Sequence, residues 1–315
     1  MKTKYMQVTI SVLLLTGFFY FIDTNEIFFV ISYSDKWSFF LACILSFCGN
    51  AACAFRWTKI LNCESKMKFW KAIKAYFESI SFTTVVPVGM LGGDLYRSVR
   101  LSSRNASGKL ASKLKPSKEV MLSVLADRVH GFWALCFLAV LTIFYSIIFE
   151  SDAFLAYELH IKQSTFVLFY LLLLIIVVAA PFLSSKIKIF FSKSTTELNA
   201  VNLLMLRSKK KITIFASVSS QIFFAVSFFL CLSATNVNIS VAQCFIIVPI
   251  IFLFAALPLS LAGFGPREYS AAIILSFLGF ELENSVASSI LFGLTITLQG
   301  IGFLLINLIF YPKHR

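Results

Sequence analysis

The chain has 315 residues, of which 58% are hydrophobic and only 14% charged. A soluble domain carries about 25% charged residues, so this composition excludes a water-soluble globular enzyme. The formal net charge of +13 does not point to nucleic acid, because the basic residues sit between apolar runs and form no single basic face.

Taken in chain order, the apolar runs predict an all-α integral membrane protein, since a span needs about 20 apolar residues. Lys2 and Lys4 precede a run from Tyr5 to Ile22. It is longer than a signal-peptide core and no small-residue cleavage pattern follows, so it reads as a retained first helix. Further full spans are predicted at Trp37–Phe55, Met121–Phe149, Thr165–Leu183, Ile212–Ala234 and Ser285–Phe310. Two more apolar segments, Trp70–Arg97 and Val241–Phe280, are interrupted by Pro and Gly and are expected to be re-entrant. The expected architecture is six spans and two broken segments in one polytopic membrane domain covering residues 1–315.

Lys and Arg concentrate on the cytoplasmic side of a membrane protein. With the N-terminus inside and each broken segment entering and leaving from one side, 24 of the 28 Lys and Arg fall inside. Only Lys36 and Lys162 fall outside, together with eight acids that include Asp23, Glu26, Asp35, Glu281 and Glu283. Both termini are then cytoplasmic in a cell membrane. The first broken segment dips in from the cytoplasm and the second from outside. The seven cysteines lie mostly in apolar runs without a CxxC, and read as free apolar packers. No metal site or cofactor is expected.

The two breaks resemble each other. "PVGMLGGDLYR" starts at Pro87 and "PLSLAGFGPRE" at Pro258; each places Gly five residues on (Gly92, Gly263) and charge within five more. Such inverted, interrupted segments point to a transport site near the bilayer midplane. Pro87, Gly92, Gly93, Pro258, Gly263 and Gly265 are the expected hinge positions.

Ionised groups at membrane depth are costly and mark partners or pathways. The candidates are Glu78 and Asp94 in the first break, Asp127, Arg128 and His130 in "SVLADRVHGF", and Arg267 and Glu268 in the second break. The functional reading places Asp94, Arg97, Asp127, Arg128, Arg267 and Glu268 around one polar cavity, where arginine forks suit a phosphate. The alternative reading has Asp127 and Arg128 at the headgroup level, Arg267–Glu268 as a local ion pair, Arg97, Arg100 and Arg104 as interfacial lipid contacts, and Asp94 pairing with Arg97 or Arg128.

At "PVGMLGGDLYR", "SVLADRVHGF" and "PLSLAGFGPRE" the chain resembles the lysylphosphatidylglycerol synthase transmembrane-region family of flippase-like membrane proteins. The three motifs occur in order, and the resemblance covers nearly the whole chain. It implies a role in lipid translocation, and the arginines and broken helix ends predict an anionic phospholipid or a polyprenyl-phosphate-linked lipid as cargo. It also implies partners among membrane lipids, envelope glycosyltransferases or a separate lipid-modifying enzyme. The chain ends at Arg315 just after its last span, so the family's soluble lysyl-transfer half is not expected. A membrane-embedded lipid-modifying enzyme, using Asp94, Asp127, His130 and Glu268 as acid–base groups, and a non-catalytic accessory protein are the alternative functions.

Overall fold

A computed structural model of the chain describes residues 24–62, 68–86, 89–105, 118–149, 175, 210–255 and 265–310. Nine helices are seen among the described residues, and no strand. They are α1 (Thr24–Tyr33), α2 (Lys36–Leu61), α3 (Phe69–Val85), α4 (Gly89–Asn105), α5 (Lys118–Phe149), α6 (Lys210–Ala234), α7 (Val241–Ala255), α8 (Pro266–Phe277) and α9 (Leu282–Phe310). Four of them, α2, α5, α6 and α9, are long and apolar enough to cross a membrane. They correspond to four of the six expected spans. The runs Tyr5–Ile22 and Thr165–Leu183 lie outside the described residues.

Between helices in lipid there is little hydrophobic drive, so close packing of small residues and buried hydrogen bonds take over. The α2–α6 contact shows both. Ala42, Ser46, Gly49 and Cys53 recur at helical spacing on α2 and Ser217, Ser220 and Ser227 on α6, and little or none of each residue reaches the surface. A Cβ on Gly49 would stand 2.7 Å from the Phe224 ring. Ser227 donates to the Ala42 carbonyl at 2.8 Å, and the Asp35 N–H donates to the Ala234 carbonyl at 3.0 Å. The start of α2 therefore meets the end of α6, and the two run antiparallel.

α9 runs parallel to α2. Thr295 donates to Ser46 at 2.9 Å, and Asn50 donates to Gln299 at 2.8 Å, so four residues on one helix match four on the other. The end of α2 and the starts of α5 and α6 share one end of the bundle. Lys59, Lys118 and Lys211 lie there, and it is called the basic end below. The opposite end carries exposed aromatics: Phe28, Phe29, Tyr33 and Trp37. Aromatic belts of this kind settle at a membrane–water boundary.

The first interrupted segment is an antiparallel hairpin of α3 and α4. Phe82 stacks on Tyr96 with ring centroids 4.7 Å apart, and Arg100 reaches back to Glu78. Each arm has 17 residues, about 25 Å at 1.5 Å per residue, which falls short of a ~30 Å hydrocarbon core. The chain turns between Val85 and Gly89, so Gly92 and Gly93 are not the hinge. They lie inside α4, where Gly93 has a different use: a Cβ there would stand 2.7 Å from Thr83 Cγ2 and 3.2 Å from the Ser79 carbonyl oxygen. Its missing side chain lets the two arms close. Pro87 lies outside the described residues.

The second interrupted segment gives α7 and α8, which follow the end of α6 and lead back to the start of α9 at the end opposite the basic one. Ile247, Val248 and Ile251 of α7 pack with Ala271 and Leu275 of α8 in the main core. Pro258 and Gly263 lie outside the described residues. Gly265 is the residue before α8 and has φ +113°, a conformation open to glycine and strained for any L side chain.

Candidate functional site

Four of the sequence candidates meet at the basic end around a fifth residue. Asp94 and Arg97 are brought by α4, Asp127 and Arg128 by adjacent positions at the start of α5. Asp94 Oδ1 lies 2.9 Å from Arg97 Nη2, and Asp94 Oδ2 accepts from Arg128 Nε at 2.7 Å. Asp127 Oδ2 lies 3.2 Å from the same Arg97 Nη2. Its other oxygen accepts at 2.7 Å from Arg56 Nε, on α2.

Arg56 is the residue that sequence reasoning missed. It counted there as cytoplasmic flank charge, because Trp37–Phe55 ended one residue before it. The helix runs on to Leu61, which turns Arg56 inward to 4% exposure. Gly131 leaves the space its guanidinium occupies: a Cβ there would come within 3.4 Å of Arg56 Nη2. Ser217 accepts from Arg56 Nη1 at 3.3 Å. One signal was available. Arg56 continues the small-residue stripe Ala42, Ser46, Gly49, Cys53 at steps of three and four, the face that packs inward.

Arg97 also departs from its interfacial reading. Its side chain is 2% exposed. The guanidinium lies over the Trp57 ring at 4.5 Å and the Tyr76 ring at 5.3 Å, so cation–π attraction clamps it on both helices that flank it. Trp57 is held in turn by its indole N–H on Ser123 at 3.2 Å. Arg97 Nε and Nη1 are buried and have no hydrogen-bond partner among the described residues. Buried donors of this kind are rare in native structures and costly. Among the described residues the cluster holds three guanidiniums and two carboxylates. Next to it, Arg100 Nε donates to Glu78 at 3.0 Å, which gives an arginine expected as an interfacial lipid contact a carboxylate partner. His130 turns its Nδ1 to the Ala126 carbonyl at 2.9 Å, one turn back on its own helix.

Arg267 and Glu268 form a separate group at the other end. Glu268 Oε1 lies 2.5 Å from Arg267 Nη2 and 3.1 Å from Nε. Arg267 Nε also donates to Ser289 on α9 at 3.1 Å. Glu268 Oε2 accepts the Gly265 backbone N–H at 2.7 Å, the glutamate half of a capping box. The Arg267 guanidinium lies 5.5 Å from the Phe292 ring centroid. Along the parallel helices, Ser289 to Gln299 and Asn50 to Arg56 together span 16 residues, about 24 Å at 1.5 Å per residue. The structure thus divides the six predicted residues into two groups. The single shared cavity is not what the described helices form, and the local Arg267–Glu268 pair of the alternative reading is present.

Four membrane-length helices, a re-entrant hairpin and a charged cluster buried among them agree with what the motifs implied, and the comparison with known families decides it. Residues 6–301 match the family described as Lysylphosphatidylglycerol synthase TM region. The chain belongs to this family. It is an integral membrane protein, and the family ties it to a lipid-related function. Comparison with curated proteins gives no match. All three motifs lie within the matched residues. The arginine cluster therefore belongs to the family's membrane region.

Proposed function

We propose that this member of the Lysylphosphatidylglycerol synthase TM region family is a lipid flippase. Its cargo is an anionic phospholipid or a polyprenyl-phosphate-linked lipid, whose headgroup binds at the basic end. The observation that carries this reading is Arg97, fully buried with two guanidinium nitrogens that have no partner among the described residues, beside Arg128, which shares Asp94 with it and is 43% exposed at its side chain. A phosphate brings several acceptor oxygens and a charge that suits arginine forks. The re-entrant hairpin supports the same reading, since irregular backbone at membrane depth belongs next to protein or a wet cavity.

The acid–base alternative finds less support. Asp94, Asp127 and Glu268 are each paired with arginines, and His130 Nδ1 faces the Ala126 carbonyl, so each of the four already has a structural partner. The positive-inside rule places the basic end in the cytoplasm. A cysteine introduced at Lys71 should then be labelled only after cells are opened to an impermeant thiol reagent.

The test of function is translocation. Vesicles holding the purified protein and a headgroup-labelled phosphatidylglycerol should lose outer-leaflet asymmetry faster than empty vesicles. Arg128→Gln should slow this at least tenfold while melting within about 1 kcal/mol of wild type, as expected for a half-exposed ion pair. Equal rates in protein-containing and protein-free vesicles, across phosphatidylglycerol and polyprenyl-phosphate lipids, would sink the flippase reading.

A further inference from the structure

Asp94 is placed to do more than hold its neighbours. Its two oxygens bridge two guanidiniums from different helices, Oδ1 to Arg97 on α4 at 2.9 Å and Oδ2 to Arg128 on α5 at 2.7 Å. That is the pattern two non-bridging oxygens of a phosphodiester would make with the same pair. We propose that Asp94 is an internal stand-in for the ligand, and that the phosphodiester monoanion of a lipid headgroup binds by displacing its carboxylate from Arg97 and Arg128. The proposal rests on the headgroup site above and adds how that site is filled and by what charge class.

Three observations separate Asp94 from its companion Asp127. The first is access. Asp127 is 5% exposed and locked between Arg56 and Arg97, whereas Asp94 is 12% exposed and its partner Arg128 43%. An anion arriving from the exposed flank meets the Asp94 bridge first. The second is spare capacity. Arg97 has Nε and Nη1 unused, so a phosphate can replace both Asp94 contacts and satisfy donors that the smaller carboxylate leaves empty. The third is that the receiving groups stay in place. Trp57 and Tyr76 hold the Arg97 guanidinium over their rings, and Asp127 keeps a contact to it. Asp94 can therefore leave by turning its own side chain toward Arg128's exposed side.

Charge selects the ligand class. Exchanging a carboxylate for a phosphodiester replaces one negative charge by one, so the cluster keeps its balance of three guanidiniums against two anions. A zwitterionic headgroup brings a tethered cation to a surplus of positive charge and is disfavoured. The empty state, with the carboxylate in place, spares the protein a buried Arg97 held by Asp127 alone, since removing one partner of a buried ion pair is destabilising.

The experiment measures binding alone, so it separates from the transport reading. Dihexanoyl-phosphatidylglycerol, dihexanoyl-phosphatidylcholine and inorganic phosphate are titrated into detergent-purified protein by calorimetry. Wild type should bind the glycerol lipid more tightly than the choline lipid, and inorganic phosphate binding as tightly as the glycerol lipid would assign the site to the free anion and overturn the headgroup assignment. Asp94→Asn removes the competing carboxylate and should tighten the glycerol lipid roughly tenfold, the scale of one charge-assisted contact. Glu78→Gln removes a nearby charge that touches neither Arg97 nor Arg128, and should change affinity less than twofold. A folded Asp94→Asn protein with equal or weaker affinity overturns the proposal. Wild type gives a second reading that needs no variant. Carbodiimide-coupled amine labelling of Asp94, read by mass spectrometry, should rise as the glycerol lipid saturates. A fall would make Asp94 a covered wall of the site and overturn displacement. If binding and labelling behave as expected but vesicles show no translocation, the displacement mechanism stands and the flippase reading fails.

Discussion

The two interrupted segments carry the same kinds of residue and use them in opposite ways. At the second, one arginine meets one glutamate. Arg267 donates to Glu268 and Ser289, and the other Glu268 oxygen takes the Gly265 N–H. The group is closed, and its work is to start α8 after a glycine at φ +113° and tie it to α9. At the first, among the described residues, three arginines share two aspartates, two nitrogens of Arg97 have no partner, and Arg128 is partly exposed. A satisfied ion pair in a membrane bundle is a fastening. The over-supplied cluster, with a side open, is where the proposed headgroup site lies.

The largest test of that contrast is Asp127→Ala. It leaves Arg56 and Arg97 buried without their shared carboxylate, and should cost at least about 3–5 kcal/mol. The expected readout is a protein lost from the membrane fraction or melting far below wild type; a near-normal melt would mean that water or lipid already serves these arginines. Glu268→Ala removes one partner from one arginine, and should cost about 3 kcal/mol, the lower end of the same range. Translocation per folded molecule should be unchanged. If instead transport collapses while the melt is normal, the closed pair belongs to the transport machinery and the contrast between the two ends breaks down.

A smaller effect is expected where the first hairpin seats on α9. Ser81 donates to the Gly300 carbonyl at 2.8 Å, and a Cβ on Gly300 would meet Thr84 and the Ile80 carbonyl oxygen. Gly300→Ala should therefore cost about 1–3 kcal/mol by overpacking, with partial recovery in a Gly300→Ala, Thr84→Ala double variant. A melt identical to wild type would show that α3 is free to shift on α9. The smallest effect belongs to Asp35, the exposed cap of α2. The Ser38 hydroxyl and the Ser38 and Trp37 N–H groups donate to its carboxylate and hold its pKa below the ordinary range. A depressed carboxylate contributes above its unfolded pKa and loses that contribution as pH falls through the folded value. Asp35→Ala should lower the melting temperature slightly at pH 7, and the difference should vanish below about pH 3. A difference that persists in acid would assign the effect to chain geometry instead of charge.

How much of this was legible in the sequence varies by residue. The first hairpin was visible because Pro87 and the glycines break an apolar run, and that signal is local. Pro87 falls between the two arms, but the expected hinge positions Gly92 and Gly93 lie inside α4, since a glycine that permits close packing looks the same in sequence as one that permits a turn. Gly93 is the former. Asp94, Asp127 and Arg128 stood out as charges among apolar neighbours. Arg56 did not, because Lys59 follows three residues later and the two look alike as basic flank. Only the inward register of α2 separates them.

The sequence by itself determined that this chain is an all-helical membrane protein, where four of its long apolar helices lie, and that Asp94, Asp127 and Arg128 are charges among apolar neighbours. Those properties follow from run length, hydropathy and chain breaks, and each is settled within some twenty neighbouring residues. Only the tertiary structure decided which charge meets which. Arg56 and Asp127 are 71 residues apart in the chain, Arg267 and Arg97 lie at opposite ends of the bundle, and Arg97 has more donors than its neighbours can fill. Pairing depends on how helices rotate and stack, and that is fixed by small-residue contacts such as Gly49 on Phe224 and Gly93 on Thr83.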